Sequence, residues 1–126
     1  VSFVVTVEGE VVGQLSISDI SGGALRSASI GYWVSQHVAG RGVTPTAVAL
    51  AIDYAFVDLA LHRIEICIRP ENTASLRVVE KLAMRYEGRR ARYIHINGEW
   101  CDHESFAVTT EEVPHGMLAR IGAPQN

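Results

Sequence analysis

The sequence predicts an α+β fold on a mixed, mostly antiparallel β-sheet, with elements in the order ββ-β-α-β-α-ββ. Several short stretches are dominated by β-branched and aromatic residues, which is typical of strands. Two longer stretches carry apolar residues at helical spacing. The first predicted helix lies between two predicted strands, and this length of strand, helix and strand indicates a central βαβ unit with parallel strands.

Composition limits the classes of protein to which this chain can belong. The chain has 126 residues, which suits one domain, and is 48% hydrophobic and 20% charged, as in ordinary soluble proteins. A net charge of −3 argues against a nucleic-acid partner, and no apolar stretch reaches the ~20 residues of a membrane span. The histidines lack metal-ligand spacing, and Cys67 and Cys101 are expected to be free thiols in strands. We expect a cytoplasmic protein without a bound metal.

The first third of the chain predicts three strands. Val1–Val7 is almost wholly β-branched or aromatic, and Glu8-Gly-Glu10 is a turn into a second strand, Val11–Ile20. Together they form an antiparallel hairpin. A third strand covers Ala28–Ser35. Because the chain opens directly in a strand, we expect the natural protein to have an upstream segment.

The βαβ unit follows. A helix is predicted from about Pro45 to Leu61, and its apolar residues lie nearly all round it, so it should be buried against the sheet. Residues 62–69 then alternate between apolar and polar side chains, as a strand does. This strand should run parallel to the strand that precedes the helix.

The last third predicts a helix and a hairpin. The helix covers about Thr73–Leu82, with apolar residues on one face. Strands at Tyr86–Ile96 and Glu99–Thr109 flank Asn97-Gly98, a strong type I′ turn signal. Residues 111–126 have no apolar period and are expected to form a loose tail after the domain.

A glycine-bearing loop, residues 38–44, opens the first predicted helix. The first N–H groups of a helix lack intrahelical partners, and with the helix dipole they form a site for an anion such as phosphate. Gly40 and Gly42 allow left-handed backbone angles and close ligand approach, and Arg41 could add a charged contact. Pro45 suits the first helical turn. The alternative is that the two glycines only make a tight turn.

Four stretches together resemble the GNAT acetyltransferase superfamily, and most closely its RimJ/RimL-type branch. The resemblance covers about residues 1–110, which we take as the domain, although the family normally has another strand and two helices before this point. The stretches are Ile30-Gly-Tyr-Trp-Val-Ser35, Gly40-Arg-Gly-Val-Thr44, Asn72-Thr-Ala-Ser-Leu-Arg-Val-Val-Glu-Lys-Leu82 and Ile96-Asn-Gly-Glu-Trp-Cys-Asp-His103.

The resemblance implies acetyl coenzyme A as cofactor, lying between two parallel strands that splay apart. Backbone groups of Trp33, Val34 and Ser35 would pair with the pantetheine arm, and an N–H of Trp33 or Val34 would polarise the acetyl carbonyl. Asn72 would contact the cofactor, and Ser75 would protonate the departing thiolate. The loop that holds the pyrophosphate would comprise Ala39, Gly40, Arg41, Gly42, Val43 and Thr44.

Some residues depart from the family pattern or have a second interpretation. Val79 occupies the position in which many relatives carry a tyrosine general acid, and no glutamate stands out as a general base. Asn72 could instead cap the second helix, and Ser75 could be structural. Asp102 and His103 are neighbours in a strand and point to opposite faces, so we interpret both as structural.

These features predict an amino-group N-acetyltransferase in which the acceptor amine attacks the thioester directly. The acceptor would be a protein N-terminus or a small amine, and the protein a monomer or homodimer. The alternative from another class is a non-catalytic acyl-CoA-binding module.

Overall fold

The computed structural model describes residues 1–35 and 42–122. In that part of the chain, six strands form one sheet in the order β1-β2-β3-β4-β6-β5. The elements are β1 (Ser2–Val7), β2 (Glu10–Ser21), β3 (Ser27–Val34), α1 (Val43–Val57), β4 (Arg63–Ile68), α2 (Thr73–Lys81), β5 (Arg85–Ile96), β6 (Glu99–Thr109), a short 3-10 turn (Thr110–Glu112) and α3 (Met117–Gly122).

The predicted strands are confirmed to within two residues at each end. The β1–β2 and β5–β6 pairs are antiparallel hairpins. At the second hairpin, Asn97 has φ 49° and Gly98 has φ 83°, the two positive angles that a type I′ turn requires.

The parallel strands β3 and β4 pair only at their beginnings. Ser27–Ser29 lies opposite Arg63–Glu65, and beyond Ser29 the two strands no longer pair. Each strand keeps its other neighbour, since β3 stays paired with β2 up to Val34 and β4 with β6 up to Ile68. A gap therefore opens inside the sheet towards the carboxyl ends of β3 and β4, as the resemblance implied.

Both helices of the crossovers lie on one face of the sheet. The connections from β3 to β4 and from β4 to β5 run in the same direction along the sheet, so right-handed crossovers place α1 and α2 on the same side. The two helices are in contact. Their N-termini follow the carboxyl ends of β3 and β4, where the gap is.

α1 differs from the prediction in its end and in its burial. It ends at Val57 rather than Leu61, because Ala60 takes a left-handed conformation and the Leu61 N–H returns to the Ala55 carbonyl at 3.0 Å, which closes the helix. One face packs into the core, but Leu50 on the other face is 52% exposed. The prediction that α1 is buried all round was therefore wrong on that face.

The expectation of a loose tail was wrong for residues 111–122. Met117 begins α3 and is fully buried. The Asp53 carboxylate, on α1, accepts hydrogen bonds from the N–H groups of Met117 at 2.6 Å and Leu118 at 3.0 Å. Arg120 in turn donates to the Leu82 carbonyl at 3.0 Å. These contacts join residues far apart in the sequence, so no local pattern in the tail announces them.

The described residues contain neither a membrane-spanning helix nor a group of metal ligands. None of their helices is long and apolar enough to cross a membrane. Within 1–35 and 42–122, no three His, Cys, Asp or Glu side chains are grouped so that they could hold a metal ion.

Candidate functional site

A cavity of about 370 Å³ lies between the unpaired end of β3, the N-terminus of α1 and α2. Six residues that the sequence predicted for the cofactor site line it: Trp33, Val34, Gly42, Thr44, Asn72 and Ser75. The predicted Ser35 and Val43 adjoin these residues in the chain but do not line the cavity. The predicted Ala39, Gly40 and Arg41 lie outside the described residues.

The N-terminus of α1 has the features of an anion site. Gly42 is the N-cap, with φ 79° and ψ 1°, and no side chain caps the helix. The first turn contains no acidic residue that would compete for its N–H groups. A Cβ at Gly42 would meet none of the described atoms within 4 Å, so the position favours glycine because of its left-handed conformation and not because space is lacking. These features fit a phosphate group.

Asn72 is the N-cap of α2. Its side-chain oxygen accepts a hydrogen bond from the Ser75 N–H at 3.2 Å, so the capping interpretation is confirmed. Both residues also line the cavity, so the cap does not conflict with contact to a ligand. The cap uses only the amide oxygen, and within the described chain the amide nitrogen has no partner, which leaves its two donors free.

Tyr32 joins β3 to α2 beside the cavity. Its hydroxyl donates to the Ser75 carbonyl at 3.5 Å, which links β3 to the first turn of α2. Burial raises the pKa of the Tyr32 phenol, so it stays protonated at neutral pH. Tyr32 also lines the cavity. Val79, by contrast, is 1% exposed and belongs to the core.

Asp102 and His103 do not form a dyad. His103 is 4% exposed, and its Nδ1 lies 3.1 Å from the Cys101 carbonyl oxygen. Asp102 accepts a hydrogen bond from the Arg92 N–H at 2.8 Å. Each residue thus has its own hydrogen-bond partner, as a structural role requires.

The two cysteines are free thiols, as expected. Burial raises the pKa of the Cys67 thiol, which lowers the fraction of reactive thiolate. Its sulfur lies 3.9 Å from the Ser105 hydroxyl. Cys67 therefore lacks the activation that a nucleophilic cysteine requires.

Sequence reasoning missed the two charged residues among those that line the cavity, Arg77 and Lys81. They are four positions apart on α2 and so share a face. That spacing is visible in the sequence, but a charged pair on a helix usually marks a solvated face. Only the fold shows that this face borders the cavity.

Comparison with known proteins assigns the family. The family model of the acetyltransferase (GNAT) domain matches residues 1–85. The chain belongs to the GNAT acetyltransferase family. Among GNAT structures, it superposes on Mycobacterium smegmatis RimJ in complex with CoA-disulfide with a TM-score of 0.93 and 44% identity, covering 98% of this chain and 59% of that one.

Two curated GNAT relatives cover most of this chain. The probable N-acetyltransferase YjcK of Bacillus subtilis (strain 168) is 41% identical over 101 residues, which is 80% of this chain and 56% of that protein. The [ribosomal protein uS5]-alanine N-acetyltransferase of Escherichia coli (strain K12) is 30% identical over 105 residues, 83% of this chain and 54% of that protein. The chain thus spans little more than half the length of these relatives.

Proposed function

We propose that the protein is an N-acetyltransferase that moves an acetyl group from acetyl-CoA to a primary amine by direct attack in a ternary complex. The observation that carries this proposal is the cavity in which the open gap of the sheet and the N-termini of α1 and α2 converge. The family assignment and the names of the relatives support it.

The chain offers a matching surface to each part of the cofactor. The first N–H groups of α1, after Gly42, have no side-chain cap among the described residues and suit the pyrophosphate. Among the described residues, β3 has no strand partner on the β4 side beyond Ser29. The Ser35 N–H pairs with the Val12 carbonyl of β2 at 2.7 Å. Because backbone groups alternate in direction along a strand, those of Val34 point towards the gap and are available to the amide groups of the pantetheine arm. When bound, acetyl-CoA supplies an acetyl group already activated as a thioester.

The catalytic roles rest on residues at this gap. The Val34 N–H, on the gap side of β3, polarises the acetyl carbonyl as negative charge develops on its oxygen, whereas Trp33 has its backbone groups on the β2 side. Ser75, half-buried beside the first turn of α2, donates a proton to the departing sulfur. The raised pKa of Cys67 favours direct attack over a cysteine acyl-enzyme.

For the acceptor we propose a protein N-terminal amine, supported by the uS5-alanine relative, with a small amine as the second choice. We place the protein in the cytoplasm as a monomer or homodimer, without a nucleic-acid or membrane partner. The alternative remains a non-catalytic acyl-CoA-binding module.

Titration calorimetry with acetyl-CoA, CoA and ATP tests the binding half of this proposal. We expect both thioester and free CoA to bind and ATP to bind much more weakly, because ATP lacks the pantetheine arm. If neither CoA species binds, the proposal is wrong.

Acetyl transfer to peptides of varied N-terminal residue and to small amines tests the catalytic half. Transfer to a peptide N-terminus supports an enzyme of the proposed kind. Tight cofactor binding with no transfer to any acceptor favours the non-catalytic module.

A further inference from the structure

Two cationic side chains line the candidate cofactor cavity. Arg77 and Lys81 both line it from α2, and Gly42, Thr44 and Pro45 line it from the N-terminus of α1. Both are exposed, so their charged groups are at the solvent end of the cavity and not in the core.

These two charges differ from most other cations of the chain, which has 11 Lys and Arg residues and a net charge of −3. Within residues 1–35 and 42–122, neither Arg77 nor Lys81 has an ion-pair or hydrogen-bond partner for its side chain. Most other described arginines do have partners: Arg63, Arg69, Arg85, Arg89 and Arg90 pair with carboxylates, and Arg120 donates to carbonyl groups.

The cavity has no described acidic residue to compensate Arg77 and Lys81. A positively charged wall without a carboxylate attracts an anionic ligand, and its effect is concentrated in a concave site. The chain thus presents two anion-binding walls, one of backbone N–H groups at α1 and one of side-chain cations on α2.

We propose that Arg77 and Lys81 bind the 3′-phosphate of coenzyme A. This inference rests on the proposed function. The backbone donors of α1 are matched to the pyrophosphate, and the phosphomonoester on the ribose is the remaining anionic group of the cofactor. A phosphomonoester carries about −1.5 to −2 charges at pH 7 and has three acceptor oxygens. The arginine fork and the lysine ammonium are the two side chains suited to it.

The experiment compares two ligands that differ only in this group. Calorimetry measures the Kd of acetyl-CoA and of its 3′-dephospho analogue for the parent protein and for the double variant Arg77→Ala, Lys81→Ala. We expect the double variant to bind acetyl-CoA roughly 10- to 100-fold more weakly, since hydrogen bonds to charged groups are the stronger class. The 3′-dephospho analogue should bind both proteins within about threefold.

Arg92→Ala is the matched control, because it removes one positive charge from a residue that does not line the cavity. It should leave both Kd values unchanged, which separates local contact from net charge. Thermal unfolding of each variant shows that it is folded, and Arg77→Gln with Lys81→Gln, which keeps more of each side chain, should reproduce the loss.

Other outcomes overturn the inference in distinguishable ways. Equal weakening of both ligands would mean that the two side chains contact another part of the cofactor. Unchanged affinity for both would mean that they contact none. Failure of the parent to bind either ligand would contradict the proposed function itself.

Discussion

At the scale of single residues, position 42 favours glycine because of its backbone conformation and not because space is lacking. Its φ of 79° lies in the left-handed region, whereas a Cβ would meet no neighbouring atom. We therefore expect Gly42→Ala to lower the free energy of unfolding by about 1–2 kcal/mol and to weaken acetyl-CoA binding, because the loop must shift. Urea unfolding and calorimetry measure the two effects.

Gly22→Ala is the control for that prediction. Gly22 is exposed, has equally open surroundings and no positive φ, so the same change should have little effect on stability or binding. If Gly42→Ala behaves like Gly22→Ala, the left-handed cap does not shape the phosphate site.

Ser75 has two possible roles, one catalytic and one structural, which a single substitution can separate. Its backbone N–H serves the Asn72 cap, but its hydroxyl is not needed for that bond. Ser75→Ala should therefore leave the fold and the Kd of acetyl-CoA nearly unchanged and lower kcat by about 100-fold, the low end for general acids. Thr73→Ala, which removes a hydroxyl from the same turn but outside the cavity, should keep full turnover. Loss of binding with an unchanged kcat would make Ser75 a cofactor ligand.

At the scale of elements, α3 depends on one carboxylate of α1. Asp53 accepts both hydrogen bonds at the start of α3, and Gly116, just before it, has φ 95° and would place a Cβ 3.3 Å from the Asp53 carboxylate. Asp53→Ala should lower the free energy of unfolding by about 1–2 kcal/mol, because two N–H groups at the start of α3, one of them partly buried, lose their acceptor.

Hydrogen exchange of residues 117–122 provides the second measurement. In Asp53→Ala their amides should exchange faster, whereas in Asp58→Ala, an exposed aspartate at the end of the same helix, they should exchange as in the parent. Unchanged protection in Asp53→Ala would show that α3 is held by its apolar contacts alone.

The contrast between α3 and the strands shows how far the sequence leads. The strands follow from alternation and from turn residues such as Asn97-Gly98, which are local signals. α3 instead depends on Asp53, 64 positions before Met117. The end of α1 was also missed, because Ala60 adopts a left-handed angle that the sequence normally signals with glycine.

The sequence likewise predicted some residues of the candidate site and missed others. Gly42 and Asn72 stand at helix starts, which the sequence marks, and the structure brings both to one cavity. Arg77 and Lys81 show helical spacing, but their lack of carboxylate partners depends on where every acidic residue of the fold lies. Such a property belongs to the folded chain and has no local pattern.

At the scale of the whole molecule, an ion-pair network ties β4 to β5. Arg63 holds the Glu87 carboxylate with two hydrogen bonds, and Arg85 adds a third, so these arginines lower the pKa of Glu87 to about 2. An unfolded glutamate has a pKa of about 4.3. The network therefore contributes its full stability above about pH 4.3, and this contribution is lost as the pH falls towards 2.

Unfolding by urea between pH 7 and pH 2 measures this dependence. Glu87→Gln should be less stable than the parent at pH 7, and its stability should fall less between pH 4.5 and 2. Glu80→Gln, which changes an exposed glutamate of α2 outside the network, should follow the parent curve. A parent and a Glu87→Gln variant with parallel curves would show that Glu87 contributes nothing to acid stability.

The short pairing of β3 with β4 has a mechanical consequence. Among the described residues, one leaf of the sheet, β1-β2-β3, and the other, β4-β6-β5, pair as strands only over Ser27–Ser29 and Arg63–Glu65. The sheet is therefore a hinged pair of leaves, fastened at one end and open at the other. A molecule that lies in the opening and pairs with the free edge of β3 would act as a seventh strand. Binding would then stiffen the sheet at the end where β3 and β4 do not pair with each other.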